Sequence, residues 1–157
     1  MPVARAYFGI DPGARGSICL LVPETKQIVF YSTIAKPIDV MYLLKQAQLE
    51  CNVVVAMIED VHAIQGTSAK SNFSFGFNTG LVTGMIQGAG LSLDKVTPKK
   101  WQKFIGVRTK GKLIKKEVAD ICERLYPQAE IKGPRGGLMD GRSDALMIAH
   151  YAALTYN

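Results

Sequence analysis

Cysteine and histidine are scarce in this chain, and their scarcity restricts the metal chemistry that it can support. The sequence contains three cysteines and two histidines among 157 residues. Cys19, Cys51 and Cys122 are far apart, odd in number and set in apolar contexts, so we expect reduced core thiols. No CxxC spacing is present, and only His62 and His150 offer an imidazole, which argues against a zinc site.

The chain also lacks a long run of apolar residues. No window approaches the roughly 18 consecutive apolar residues of a membrane-spanning helix. The residues from Met1 to Arg5 lead straight into a strand-like segment and have no signal-peptide profile. A chain of this length usually forms one domain. We therefore expect a single domain over residues 1–157 with no membrane partner, located in the cytoplasm, or in the host cytoplasm if the protein is viral.

Acidic side chains are absent from one long basic segment. Residues 95–116 contain nine basic side chains and no acidic one. Residues 1–90 hold six of each sign, so the net charge of +6 comes entirely from residues 91–157. Trp101 and Phe104 are interleaved with the basic residues. The segment predicts a stripe that binds phosphate, although taken alone it is equally typical of a solvated surface.

Hydrophobic periodicity predicts an α/β order of elements. Apolar and β-branched runs predict strands at 6–11, 17–22, 27–34, 53–59 and 92–97. Helical spacing predicts helices at 36–49, 69–90, 112–125 and 140–156, with a further helix starting at Pro98. Residues 128–139 are expected to form a loop. This order predicts an α/β fold with a five-stranded mixed sheet flanked by helices.

Four acidic residues stand where predicted elements end or begin. Asp11 and Glu59 each close an apolar strand, and Asp140 and Asp144 open the last helix one turn apart. If the two strands lie side by side and parallel, their backbones are about 4.8 Å apart and both acids emerge at one sheet edge. Crowded carboxylates repel one another unless a cation intervenes, and an all-oxygen donor set favours Mg²⁺, with Mn²⁺ as a substitute.

Each acid has a simpler interpretation when it is considered alone. Asp11 can cap the Pro-Gly turn that follows it, and Glu59 can be a solvated strand end. Asp140 can be an N-cap and Asp144 a first-turn acid favoured by the helix dipole. Jointly they favour a shared cation. Two predicted strand ends and one helix start would converge, and without a cation their acids would be left unpaired.

Three motifs resemble those of the RuvC family of Holliday junction resolvases. They are Gly9-Ile10-Asp11-Pro12-Gly13, Ile58-Glu59-Asp60-Val61 and the run DGRSDALMIA that begins at Asp140. Their order and spacing match the family over nearly the whole chain. The resemblance implies an RNase H-like fold, a homodimer, and Mg²⁺-dependent paired nicking of four-way DNA junctions. It implies that the catalytic and metal-binding acids are Asp11, Glu59, Asp140 and Asp144.

The resemblance extends loosely to basic residues. Lys103 and Lys115 lie near positions where the family has functional lysines. Lys115 is expected beside the metal site, where it would assist catalysis by stabilising charge on the phosphate. The other candidates for DNA contact are mostly basic side chains that would bind backbone phosphates. These DNA-binding candidates are His62, Lys99, Lys100, Lys103, Arg108, Lys110, Lys112 and Lys116.

Two features depart from the family pattern. Asp140 and Asp144 are four residues apart, whereas bacterial members usually separate the two acids by three; both spacings keep one helical face. His62 stands where familiar bacterial members have a phenylalanine thought to wedge the junction. His62 can stack on a base or contact phosphate, or it can simply be exposed.

Glycines recur every four residues in the predicted helix 69–90, at Gly76, Gly80, Gly84 and Gly88. Four glycines cost a helix about 4 kcal/mol relative to alanine, so a closely approaching backbone is expected to offset that cost. The partner is either the chain's own sheet or helix, or the same helix of a second subunit. Symmetric cutting of two strands requires two active sites related by a two-fold axis.

The expected activity is that of a crossover junction endodeoxyribonuclease acting by two-metal phosphodiester hydrolysis in DNA recombination and repair. Two alternatives remain open. One is an RNase H-like nuclease for other branched DNA or for RNA–DNA hybrids, and the other is a non-catalytic nucleic-acid-binding module. The four acids argue against the module, because phosphate binding gains nothing from negative charge.

Overall fold

The computed structural model describes residues 3–32 and 37–156 and shows a five-stranded mixed sheet with helices on both faces. The strands are β1 (Arg5–Asp11), β2 (Ser17–Val22), β3 (Gln27–Ser32), β4 (Asn52–Glu59) and β5 (Leu93–Val96). The helices are α1 (Pro37–Glu50), α2 (Ala69–Gly88), α3 (Pro98–Ile105), α4 (Leu113–Leu125) and α5 (Asp140–Thr155). The predicted α/β class and five-stranded mixed sheet are confirmed.

The strand order places the ends of β1 and β4 next to each other. The sheet runs β3-β2-β1-β4-β5. β2 pairs antiparallel with β1 and β3, whereas β4 pairs parallel with β1 and β5. Ile10 of β1 lies opposite Ile58 of β4. Asp11 and Glu59, one residue further along, therefore leave neighbouring parallel strands at the same edge.

Alternating strand side chains build a hydrophobic layer on each face of the sheet. In β1, Tyr7 belongs to one layer, while Phe8 and Ile10 belong to the other, as the period-two geometry of a strand requires. Residues of α3, α4 and α5 complete the first layer, and residues of α1 and α2 complete the second. The last helix thus lies on the same face as the basic segment.

α5 lies against β1 at backbone-contact distance. A Cβ atom at Gly9 would lie 2.0 Å from the Ala145 carbonyl oxygen and 2.4 Å from the Ala149 nitrogen. A Cβ atom at Gly141 would lie 2.0 Å from the carbonyl oxygen of Arg15, in the turn after β1. Only glycine permits such an approach. The two contacts bring the start of α5 beside the end of β1.

The observed element bounds differ little from the predicted ones. α2 ends at Gly88, two residues early, and β5 is one residue shorter at each end. The end of the predicted strand 27–34 and the start of the predicted helix at Lys36 lie outside the described residues. The segment 128–139, predicted as a loop, contains a narrow turn in which Lys132 bridges Leu138.

Two expectations about composition can be compared with the structure. Cys19 and Cys122 are buried free thiols, as expected, whereas Cys51, which was also expected in the core, is a free thiol that is only half-buried. Across residues 3–32 and 37–156, no helix has the length and apolarity that crossing a membrane requires.

We expect Gly9→Ala to destabilise the protein, because its methyl group would collide with the backbone of α5. The loss should be at least that of an overpacked core, about 1–3 kcal/mol in the free energy of unfolding measured in urea. The matched control is Gly137→Ala, where a Cβ atom meets nothing within 4 Å. That variant should change stability by less than about 0.5 kcal/mol. Equal effects of the two substitutions would contradict the close contact between β1 and α5.

Candidate active site

Asp11 ends β1 and is held by the turn that follows it. Its Oδ1 atom accepts a hydrogen bond from the Gly13 nitrogen at 3.0 Å, and the Gly16 nitrogen donates to the Gly13 carbonyl oxygen at 2.8 Å. Burial raises the pKa of Asp11, the Gly13 N–H opposes that shift, and the charge of Asp140 adds to it. Asp11 therefore caps its turn and also lies within electrostatic reach of an acid on α5.

Glu59 ends β4 and is bound by an aromatic side chain. The Nε1 atom of Trp101 donates to its Oε2 atom at 2.7 Å, from an indole that is fully buried. Burial, and then the charge of Asp11, raises the pKa of Glu59 to about 7, while the Trp101 hydrogen bond lowers it. The interpretation of Glu59 as a simple solvated strand end is therefore wrong.

The two acids of α5 have different surroundings. Asp140 lies in the first turn, after Met139 at the N-cap, and its Oδ2 atom pairs with the Lys115 ammonium at 2.5 Å. Asp144 lies one turn further along the helix. Burial, followed by the charges of Asp11, Glu59 and Asp140, raises the pKa of Asp144 to about 8, and Lys115 opposes this shift. All four acids are thus electrostatically coupled at one edge of the sheet.

Solved structures of Holliday junction resolvases share this architecture. Thermus thermophilus RuvC in complex with a Holliday junction substrate superposes with a TM-score of 0.59 and 15% identity, over 96% of each chain. The fold is that of RuvC. A second Thermus thermophilus RuvC structure has a TM-score of 0.58 and 19% identity, over 96% of this chain and 97% of that one. The RNase H-like fold that the motifs implied is therefore confirmed.

A yeast protein extends the comparison beyond bacteria. The yeast mitochondrial Holliday junction resolvase Ydc2 superposes with a TM-score of 0.51 and 15% identity, over 94% of this chain and 77% of that one. No protein-family model matches the chain, and no curated protein matches it in sequence. At these identities, the likeness to RuvC and Ydc2 establishes the fold alone.

The acidic edge of this RuvC-like fold fits a divalent cation by its chemistry. Its donors are four carboxylates with no sulfur, a set that suits Mg²⁺ or Mn²⁺. Burial is the main cause of the raised pKa values of Asp11, Glu59 and Asp144, and a bound cation would favour their ionised forms. In the part of the chain that the structure describes, however, no three His, Cys, Asp or Glu side chains have the spacing of a metal site. Metal binding by the four acids remains a prediction.

A lysine lies against this acidic edge. Its ammonium holds the Asp140 carboxylate, and the hydrogen bond to Asp140, followed by the charge of Asp140, raises the pKa of Lys115. The charges of Asp144 and Asp11 add to the same shift. The structure thus places Lys115 beside the acids, where the sequence predicted it.

The predicted DNA-binding lysines and arginine are exposed and follow one another along the chain. α3 carries Lys99, Lys100 and Lys103; the loop at 106–112 carries Arg108, Lys110 and Lys112; and α4 carries Lys116. Trp101 is interleaved with the basic residues in the sequence but does not belong to this surface, because α3 is amphipathic and the indole is buried in the core. Phe104 is 47% exposed and packs edge-on against Tyr151, with ring centroids 4.9 Å apart.

Glu117, which the sequence analysis missed, fixes the basic loop. Its carboxylate accepts hydrogen bonds from the Arg108 nitrogen at 3.0 Å and the Thr109 nitrogen at 2.8 Å, and also from the Thr109 hydroxyl. Glu117 therefore orders the backbone that presents Arg108. One sequence signal was available, since Glu117 is the first acid after the acid-free segment.

Two further residues near the motifs have clear positions. His62 is exposed in the segment between β4 and α2, and its role in DNA contact remains a prediction. The Arg142 guanidinium donates to the Glu130 carbonyl oxygen at 2.8 Å and lies 5.2 Å from the centre of the Phe30 ring. Arg142 thus binds a neighbouring loop and β3, although it stands between Asp140 and Asp144 in the sequence.

Burial of Glu59 and Asp144 should make the stability of the metal-free protein depend on pH. Both groups keep a proton in the folded protein at pH values where the unfolded chain has lost it. Their contribution to stability is therefore present at low pH and is lost as pH rises through about 7 for Glu59 and about 8 for Asp144. We expect Asp144→Asn to make the free energy of unfolding in EDTA fall less steeply, by up to about 1.4 kcal/mol per pH unit.

The measurement is urea unfolding at intervals from about pH 5 to about pH 9, which spans both transitions. The matched control is Asp120→Asn, since the Asp120 side chain is 59% exposed and forms a long ion pair with Lys116, at 3.5 Å. Identical pH profiles for wild type and Asp144→Asn would contradict the burial of the Asp144 charge.

Proposed function

We propose that this chain is a Mg²⁺-dependent endonuclease that resolves four-way DNA junctions, with residues 1–157 forming a single nuclease domain. The observation that carries the proposal is the electrostatic coupling of Asp11, Glu59, Asp140 and Asp144 at the edge where β1 and β4 end. A protein that only bound phosphate would gain nothing from buried carboxylates, because they repel the ligand. The fold shared with RuvC and Ydc2 supports the choice of substrate.

The catalytic roles follow from the chemistry of the side chains. Mg²⁺ or Mn²⁺ bound by the four acids would supply Lewis acidity for phosphodiester hydrolysis. The turn after β1 holds Asp11, and Trp101 holds Glu59. The Lys115 side chain is 68% exposed beside Asp140, so its ammonium can also reach a phosphate oxygen and offset the charge that develops there.

DNA contact is proposed for the exposed basic surface on the same side of the molecule as α5. Its members carry positive charge into solvent on α3, on the loop that Glu117 orders, and on α4. Contacts of this kind position the backbone without selecting a base sequence. The proposed DNA-binding residues of this surface are Lys99, Lys100, Lys103, Arg108, Lys110, Lys112 and Lys116. His62, exposed in the segment between β4 and α2, is proposed as a further DNA contact.

We expect the purified protein to introduce paired, symmetric nicks into a synthetic four-way junction in Mg²⁺, and to leave linear duplex intact. Asp11→Asn should reduce cleavage below detection while junction affinity persists, because it removes a ligand charge and leaves the basic surface unchanged. Cleavage is measured on denaturing gels with each strand end-labelled in turn, and affinity by mobility shift in EDTA. Asp120→Asn, which alters an exposed acid on α4, is the matched control and should cleave at the wild-type rate.

Other outcomes would identify the alternatives. Preferential cleavage of flaps, nicked DNA or RNA–DNA hybrids would identify a nuclease with a different substrate. Absence of any divalent-dependent nicking by the wild type would favour a non-catalytic binding module. Loss of binding together with cleavage in Asp11→Asn would assign Asp11 a structural role.

We also propose that α2 forms the seam of a homodimer. Cβ atoms placed at Gly76, Gly80, Gly84 and Gly88 would meet nothing within 4 Å. Within the described residues, therefore, no part of the chain packs closely on this ridge, and the intrachain alternative has no support. Two exposed aromatic rings lie at the start of the ridge on the same helix: Phe73 precedes Gly76, and Phe77 follows it. A second copy would cover these rings and approach the glycines closely.

We expect the wild type to sediment as a dimer and Gly84→Glu to sediment as a monomer. The new carboxylate has space in the single chain, but two of them would face each other across a two-fold axis at the seam. The matched control is Gln128→Glu, which adds the same exposed charge outside α2 and should remain dimeric. Analytical ultracentrifugation over a range of concentrations measures the mass, and a monomeric wild type would overturn the proposed seam.

A further inference from the structure

Trp101 connects the basic helix α3 to an acid of the candidate active site. It is the chain's single tryptophan, and its side chain is fully buried in the hydrophobic layer beneath α3, α4 and α5. Its Nε1 atom lies 2.7 Å from the Oε2 atom of Glu59. The backbone of the same helix carries the exposed residues Lys99, Lys100 and Lys103.

The geometry of this contact restricts Glu59 more than a surface hydrogen bond would. An indole has one donor and no acceptor, so it can only bind a group that accepts. A large side chain in a close-packed interior cannot change rotamer without opening a void, so the position of the N–H group is fixed. The carboxylate is consequently fixed through Oε2. Each carboxylate oxygen has two acceptor positions, so Glu59 retains the capacity to bind a cation.

A purely hydrophobic role does not account for the choice of tryptophan. Phenylalanine or leucine would fill this layer without bringing a polar atom into it, whereas a buried indole N–H requires a partner. α3 also contacts the helix that bears the other two acids, since Phe104 packs on Tyr151 of α5 at 4.9 Å. α3 is therefore joined both to Glu59 at the end of β4 and to α5.

We infer that Trp101 is the positioning residue of Glu59, holding that carboxylate ready for a divalent cation from the helix that bears the DNA-binding lysines. The inference rests on the proposed nuclease function and adds to it the residue through which α3 acts on the acidic edge. Trp101 itself touches neither metal nor DNA in this account. It acts through the hydrogen bond to Glu59 alone.

The first test uses the folded wild-type protein and Mn²⁺ alone. Mn²⁺ quenches indole emission at short range, so titration should quench the fluorescence of Trp101 saturably, with the same midpoint as Mn²⁺ binding measured by calorimetry. Glu59→Gln should weaken that binding by about tenfold or more. Binding by the wild type without quenching would overturn the inference and leave the proposed metal site intact. Absence of any Mn²⁺ binding would overturn both.

The second test is Trp101→Phe, which keeps a buried aromatic ring and removes the hydrogen-bond donor together with part of the indole volume. We expect a loss of about 10- to 100-fold in kcat and a raised half-saturating Mg²⁺ concentration, as for other residues that orient a metal ligand. KM for the junction should be unchanged, because the lysines of α3 are retained. The matched control is Phe104→Leu, which alters the contact of α3 with α5 but not the hydrogen bond, and should keep the wild-type kcat.

The outcomes separate the inference from the proposed function. If the wild type cleaves junctions and Trp101→Phe matches it in kcat and Mg²⁺ requirement, the inference is wrong and the nuclease stands. Equal losses in Trp101→Phe and Phe104→Leu would assign the effect to helix packing and would also overturn it. Should Trp101→Phe fail to fold by circular dichroism, the quenching experiment on wild type and Glu59→Gln decides.

Discussion

Backbone contact between α5 and β1 is the constraint on which the candidate site depends. Gly9 lets the helix reach the strand, and Gly141 lets the start of the helix reach the turn after β1. Together these contacts fix the position of α5, and thereby the position of Asp144 relative to Asp11. Charged groups are costly to bury, so only rigid packing of this kind can keep them together.

The acids are held by three different kinds of partner. A backbone amide binds Asp11, an indole binds Glu59, and an ammonium binds Asp140. Burial nevertheless raises the pKa values of Asp11 and Glu59 despite their hydrogen bonds, and it also raises the pKa of Asp144. Proteins commonly accept such local conflict at functional sites. The four acids lie in a fold shared with RuvC. A divalent cation bound between them would favour their ionised forms.

Much of this arrangement was predictable because strand ends and helix starts are local signals. The apolar runs ending in Asp11 and Glu59 predicted both the strands and the acids at one edge. The burial of Trp101 was not predictable from charge, because Lys99, Lys100 and Lys103 in the same short helix suggest an exposed segment. The indole lies on the face of α3 that packs on the core. The hydrogen bonds of Glu117 depend on how a loop folds back on α4, which spacing does not encode. The spacing of the glycines in α2 was compatible with a packing partner in the same chain or in a second subunit. Only the folded structure shows that the described residues leave this ridge uncovered.

The uncovered glycine ridge of α2 would make the order of this helix depend on formation of the proposed dimer. Its four glycines lower the intrinsic stability of that helix by about 4 kcal/mol relative to alanine, and docking of a second copy would restore much of it. Near its start, the Asn72 side chain also binds both backbone polar groups of Ile64, in the segment that follows Glu59. By mass action, dilution of the proposed dimer would loosen α2 and, with it, this segment. The order of α2 and of this segment would then depend on the concentration of the chain.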